Sequence, residues 1–381
     1  MIKRNGCISK HLQKKMDDLF CKAIENRVFP GAAVGVSVGL EEKRKIFILT
    51  YGSTEYDPKK SHIIENKVFF DLASLTKPLA ATLAVMVLIK EGKLHLEDTL
   101  PDLFEYNVPE EKKHISLRQL LNHCSGFASH RPFFEKLVQL PENARIERLQ
   151  NLVMEEPLVA RPGEKEEYSD LGFMVIGWII EKKTGIKLDK FVVEKVFRPL
   201  GVEEGLFFIP PAAGQGEKHD RIFAATEDCP WRGRILRGEV SDDNTSAVGG
   251  VSGQAGLFGN IESMLEITVH ILDQWQGRKN HPHMDAADLK YFLKRQEMVK
   301  GSTWALGFDT PSRPFSSSGH YLSPNSVGHL GFTGTSFWID PEKETVIVLL
   351  TNRVHPTREN NKIRTFRPLF HDTVIEALGL V

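Results

Sequence analysis

Apolar positions recur along this chain with two periods, and the changes of period mark its elements. Between about Lys10 and Asn26 the spacing is helical. Two runs follow, GAAVGVSVGL and KIFILTYG, parted by a charged turn, and they predict a β-hairpin. From Ser74 onward, Leu75, Leu79, Leu83 and Val87 fall on one face of a helix that stops at Gly92. That helix is apolar on most sides, which predicts a central position. SLRQLLNHCSG opens with a capping box, Ser116 with Gln119, and ends at Gly126. Leu171, Met174, Val175, Trp178 and Ile179 mark another helix after YSD, with Lys182, Lys183 and Gly185 as its cationic last turn and stop.

The glycine-rich AVGGVSGQAGLFGN leads into a helix from Ile261 to about Trp275, with Asn260 as the expected N-cap. The period then returns to β in NSVGHLGFTG, TSFWID and ETVIVLLTN, and a helix from about Asn361 closes the chain. Strands at both ends with helices between them predict an α+β fold, an α/β sandwich. Its antiparallel sheet is assembled from both termini and flanked by the terminal helices. The expected boundaries are residues 1–75 plus 300–381 for the sheet domain and 76–299 for a mostly helical insertion, with a site between them.

Length and charge narrow the possible functions. A chain of 381 residues suits about two domains of ~150 residues. Lys and Arg number 49 against 50 Asp and Glu, a net charge of -1 without long single-sign runs, so neither nucleic acid nor an anionic membrane is the expected partner. A small molecule is. Cys7, Cys21, Cys124 and Cys229 lie far apart and read as reduced thiols. The first twenty residues lack an apolar stretch of signal-peptide type, and the longest uncharged run, Pro78 to Ile89, is short of a bilayer span. The expectation is a cytoplasmic protein without a membrane helix.

The stretch DLASLTKPLA places Ser74 and Lys77 three residues apart at a helix start. Positions i and i+3 share a helix face, so the lysine amine can reach the serine hydroxyl. The free N–H groups of a helix N-terminus can hold an oxyanion, and Pro78 is tolerated in a first turn. The helix dipole and burial would both lower the lysine pKa toward that of a usable base. Tyr168 precedes the second strong helix, and His329 and Gly331 fall on a strand that runs into a glycine-rich turn.

With SLTK, HCSGF, YSDLGFMVIG, GGVSGQAGLF and TGTSFWIDP, the chain resembles the serine β-lactamase and penicillin-binding fold over roughly residues 25–378. The likeness is to the branch of class C β-lactamases, D-Ala-D-Ala carboxypeptidases and related esterases. Ser74 and Lys77 match that family's S-x-x-K. Tyr168 matches the first position of Y-x-N, and His329, Leu330 and Gly331 match H-x-G. The resemblance implies a transpeptidase-like fold and no cofactor. It implies Ser74 as the acylated nucleophile, Lys77 and Tyr168 as its proton carriers, and His329 and Gly331 on the edge of the site. The backbone N–H groups of Ser74 and Phe332 would form the oxyanion hole. Tyr168 is expected to act as a phenolate favoured by Lys77 and by a protonated His329.

Asp170 departs from the pattern, because the family's asparagine donates to a carbonyl on the substrate's acylamino arm and an ionised carboxylate donates nothing. Two readings stay open. Asp170 pairs with Lys77 and leaves base duty to Tyr168, or it faces the pocket and selects substrates with a donor or cation. Either predicts poor penicillin hydrolysis and better turnover of simple esters.

Weaker signals complete the reading. Asn244, with Asp242 in SDDN, is placed beside the substrate, and the glycine run 249–259 reads as backbone passing close to it. One of Arg353, Arg358 and Arg364 could clamp a carboxylate. His123 reads as a turn-stabilising residue. His281, His283 and Asp285 resemble a metal motif, but they read as a polar loop before a helix capped by Asp285, so no metal is expected. The favoured function is a serine hydrolase that acts on a small ester, amide or β-lactam-like substrate. Its rivals are a D-amino-acid peptidase or true β-lactamase, and a non-catalytic ligand-binding protein of the same fold.

Overall fold

The computed structural model describes residues 10–104, 108–210, 221–312 and 314–381, so Cys7 lies outside the described residues. Helix α1 (Lys10–Glu25) is followed by strands β1 (Gly31–Val38) and β2 (Lys45–Gly52), the hairpin expected from sequence. Helix α2 is Leu83–Lys90, α3 is Asp170–Thr184 and α4 is Ile261–Trp275. Strands β3 (Val327–Leu330), β4 (Ser336–Asp340) and β5 (Thr345–Thr351) precede the closing helix α5 (Ile363–Leu378). The five strands form one antiparallel sheet in the order β2-β1-β5-β4-β3, joining the two ends of the chain through the β1–β5 pair.

Both faces of this sheet are covered, which is why β1 reads as a continuous apolar run instead of alternating with polar residues. Ala32, Val34 and Val36 point toward α1 and α5, in a layer where the Phe20 ring stacks on Tyr51 and meets Phe366 and Phe370 edge-on. Gly35 faces the other way, against Leu265 of α4. Sequence alone assigned α4 to the helical insertion, yet this helix covers β1, β4 and β5. Its amphipathic face is satisfied by the sheet, and no local pattern says which partner it takes.

The α2 segment is as central as expected, with Leu83 through Leu88 all buried. Ala73–Lys90 is long and apolar enough to cross a bilayer by composition, but 83% of it is buried inside the fold, as in the core helix of a globular protein. The way the chain enters α2 differs from a plain helix start. A 3-10 turn at Ala73–Leu75 is followed by a wide π turn at Lys77–Thr82, and α geometry begins only at Leu83. Pro78 has no N–H, and its ring excludes the carbonyl four residues back, which disfavours a regular α turn at this point.

Candidate active site

Two backbone turns face each other across the site. Ser74 follows the short strand Phe70–Asp71, which pairs with Leu257–Gly259. The residue before it, Ala73, has a left-handed φ of 47°, a conformation costly for any residue with a Cβ. The Asp71 carboxylate accepts from the Ala73 N–H at 2.8 Å and from Ser241 N–H at 2.7 Å, fixing this turn. Opposite lies the 331–335 turn after β3. Its Thr333 hydroxyl donates to the Asp71 carbonyl at 2.7 Å and its Thr335 hydroxyl to the Leu72 carbonyl at 3.1 Å. A Cβ on Gly331 would fall 2.0 Å from Thr335 Oγ1 and 2.7 Å from the Leu72 carbonyl, so only glycine allows this approach. From behind, Arg367 of α5 donates to the Gly331 and Thr335 carbonyls at 2.7 and 2.8 Å.

Between the turns lies Lys77, with no exposed side-chain surface. Its Nζ is 3.0 Å from Ser74 Oγ, 2.7 Å from Asp170 Oδ1 and 3.2 Å from the Gln254 carbonyl. The amine also sits 4.8 Å from the centre of the Tyr168 ring, and Lys77 and Ser74 are near enough to the phenol to favour its ionised form. Tyr168 rests on His123 and Trp304, their ring centres 4.6 and 5.5 Å away, and His123 Nδ1 accepts the Ser169 N–H at 3.1 Å. His123 thus seats the loop that carries Tyr168, in keeping with its expected structural role.

Electrostatics fix the resting protonation. Burial pulls the Lys77 pKa down, but Asp170 and the Tyr168 oxygen outweigh it and hold the amine cationic. Burial pushes the Asp170 carboxyl up, and Lys77 and His130 more than reverse that, leaving it at about 2. Tyr168 is raised, first by burial and then by Asp170, against the opposing pull of Lys77. His329, buried on β3, is lowered to about 3 by burial and by Lys77. The expected protonated His329 and resting phenolate are therefore corrected: the ring is neutral and the phenol keeps its proton. His329 Nδ1 is 2.9 Å from the Leu330 carbonyl, which can only accept, so this nitrogen carries the hydrogen and Nε2 is a bare acceptor. Of the two open readings of Asp170, the pairing with Lys77 is observed, while a fifth of the carboxylate surface still faces the cleft.

The cleft above Ser74 encloses about 660 Å³ and is also lined by Tyr168, Asp170, His329, Gly331 and Phe332, all expected from sequence. Asn244 does not belong there. It is buried, its Oδ1 accepting from Phe134 N–H and its Nδ2 donating to the Arg131 carbonyl, so it ties down the 131–134 loop. Asp242, its neighbour but one, does line the cleft. The glycine run is only partly as expected. Gln254 and Ala255 line the cleft, but Gly253 is required because a Cβ there would meet the Phe173 carbonyl of α3 at 2.1 Å. Arg353 donates to the carbonyls of Phe332, Arg358 and Asn360, and Arg358 pairs with Glu227 and Asp243, which leaves Arg364 exposed at the rim. His281 accepts from His283 N–H and sits 3.2 Å from the Val196 carbonyl. Asp285 stands at its helix start but pairs with Lys90 and caps nothing with its side chain. His130, Trp304, Asp309 and Arg367 were not anticipated; nothing in their local sequence marks them, and only the tertiary fold brings them to the cleft.

An antiparallel sheet covered by helices, with a serine bonded to a buried lysine beside a tyrosine ring, is the arrangement of the β-lactamase and transpeptidase fold. The chain belongs to the Beta-lactamase family, whose sequence model matches residues 16–370 and whose members are serine hydrolases. Curated relatives from Salmonella heidelberg (strain SL476) and Salmonella agona (strain SL483) are provisionally named D-alanyl-D-alanine carboxypeptidase. Each is 30% identical over 312 residues, 77% of this chain and 71% of the relative. Among solved structures, the octameric penicillin-binding protein homologue from Pyrococcus abyssi superposes with a TM-score of 0.71 at 19% identity, covering 97% of this chain and 77% of that one. A hydrolase with promiscuous acyltransferase activity, EstCE1, gives 0.71 at 19% identity over 94% and 99%. These two likenesses speak to the fold.

Proposed function

We propose that this chain is a serine hydrolase that forms an acyl-enzyme at Ser74 on a small ester or amide, with esters favoured. The observation that carries the proposal is the contact of Ser74 Oγ with Lys77 Nζ at 3.0 Å, with the Tyr168 ring centre 4.8 Å from that amine, on the floor of an open cleft. Ser74 Oγ attacks the carbonyl carbon and its proton passes to the Tyr168 oxygen. The tyrosine reaches its basic form by losing a proton to solvent, and the Lys77 ammonium stabilises the phenolate. The N–H groups of Ser74 and Phe332 hold the oxyanion, since they stand on the two turns that Thr333 and Thr335 bind together. The leaving group takes the proton from Tyr168, and water then resolves the acyl-enzyme. Asp170 cannot donate to an acylamino carbonyl, so penicillins are poor substrates.

Intact-mass spectrometry after brief exposure to p-nitrophenyl acetate and to a fluorophosphonate tests this in wild type and Ser74→Ala. One covalent adduct that is lost in Ser74→Ala is expected. No adduct with either reagent would refute the reading in favour of a ligand-binding protein. Rapid penicillin turnover would refute the preference for esters.

A further inference from the structure

We infer that the cleft selects an acyl donor bearing a free ammonium group, held between Asp170 and Asp242. The inference rests on the hydrolase reading only for which substrate is cleaved; the ammonium site stands on its own geometry.

One end of the cleft has more acceptor capacity than the resting contacts use. Asp170 Oδ1 is taken by Lys77, but Oδ2 faces His130 Nδ1 at 3.5 Å, too long for a good hydrogen bond. Asp242 Oδ1 accepts the Thr245 N–H at 2.7 Å as a helix cap and the Gln254 amide at 3.4 Å, which leaves Oδ2 without a donor among the described residues, in a residue that lines the cleft. Side-chain ligand atoms of His130, Asp170 and Asp242 all lie within 4.8 Å of one another. An ammonium donating at about 2.8 Å to two oxygens at a tetrahedral angle needs them about 4.6 Å apart, which this spacing accommodates.

A second feature leaves this end of the cleft favourable to a cation. His329 Nε2 is a buried acceptor without a partner, lining the same cleft and close enough to Asp170 to feel its charge. An ammonium finds Asp170 and Asp242 there, and the uncharged His329 ring, which lines the same cleft, adds no competing positive charge. The two carboxylates also repel each other, and Asp242 is raised first by its burial and then by Asp170. A cation between them relieves that repulsion. His130, whose side chain is 46% exposed, lines the rim beside Asp170.

The test uses the intact protein and achiral probes at pH 7, glycine ethyl ester against N-acetylglycine ethyl ester. In turnover Ser74 Oγ bonds the glycyl carbonyl carbon, the bond to the ethoxy oxygen breaks, ethanol leaves with the serine proton, and water later releases glycine. The expected result is a kcat/KM at least tenfold higher for the free amine. In Asp242→Asn, which keeps an N-cap acceptor and loses the charge, that ratio falls toward unity. Because the ratio is internal to each variant, a loss of folded protein does not change it. A wild-type ratio at or below one, or a ratio unchanged in Asp242→Asn, would overturn the proposal. If neither ester turns over and no reagent labels Ser74, the hydrolase reading fails instead. The ammonium site is then decided by ligand-observed NMR titration with glycinamide and N-acetylglycinamide. Tighter binding of glycinamide, weakened about tenfold in Asp242→Asn, upholds it; equal binding of the two, or none, overturns it.

Discussion

Lys77 looks like a base by position and is an acid by environment. Asp170 at 2.7 Å holds it protonated, so the group left to accept the Ser74 proton is the neighbouring tyrosine, its ring centre 4.8 Å from Lys77 Nζ. Tyr168→Phe keeps the packing on His123 and Trp304 and removes the acceptor, and kcat on p-nitrophenyl acetate is expected to fall ~10²–10⁴-fold with an unchanged thermal transition. The same logic sets the pH profile. Tyr168 is raised above its ordinary value, so kcat/KM climbs with pH across the alkaline range in wild type. Asp170 raises both Tyr168 and Lys77, and removing its charge lowers both. Asp170→Asn therefore moves the alkaline limb to lower pH, and its amide, now a donor, should improve acylation by penicillins; a limb that stays in place would mean that Tyr168 is not the base. Ser74 and Lys77 could be read from sequence because three residues of helix fix their contact. The partners that decide their charge could not, since Asp170 lies 93 residues from Lys77 and is brought to it by the helix it opens. Asn244 misled for the converse reason: its neighbour Asp242 lines the cleft, but the Asn244 amide turns to the backbone of another loop.

The elements around the site were legible where one period governs them and obscure where tertiary contact sets the geometry. The hairpin, α3, α4 and the three late strands follow from their apolar patterns, and the N-caps at Asn260 and Ser116 are as expected. The π turn over Lys77–Thr82 and the left-handed Ala73 are not encoded by a periodicity; they are settled by Pro78 and by the Asp71 carboxylate on the Ala73 amide. The 331–335 turn shows how tightly such geometry is held. A methyl group at Gly331 must displace Thr335 or the Leu72 backbone, which carries the chain toward Ser74. Gly331→Ala is therefore expected to lower kcat by ~10²–10³, the range for loss of one oxyanion donor, while far-ultraviolet circular dichroism stays native. Unaltered kcat in a folded variant would remove this turn from the oxyanion hole.

The fold also stores neutral histidines in buried or half-buried positions, and that gives the whole protein a pH dependence separate from its chemistry. Burial lowers His329 to about 3 and His270, His281 and His371 to about 4, far under the value near 6.5 of an unfolded chain. Each stays uncharged in the folded state through the mildly acidic range and takes up a proton on unfolding. Two carboxyls act in the opposite sense. Burial raises Asp71 to about 6 and Asp309 to about 7, so they hold protons in the folded state that they release on unfolding near pH 5. The histidines, with His123 and His355 also lowered by burial, outnumber them, and the balance near pH 5 is a net uptake of protons on unfolding. Because the unfolded state binds more protons, stability falls as pH drops from 6.5 toward 4. Asp170, held at about 2, adds its own loss only below the ordinary carboxylate range. Denaturant midpoints measured at intervals from pH 7 to 4.5 should decline progressively, and His371→Gln, remote from Ser74 on α5, should flatten that slope by about one proton. A slope that His371→Gln leaves unchanged would show that this histidine is charged in the folded protein and would overturn the account of burial as what keeps these rings neutral.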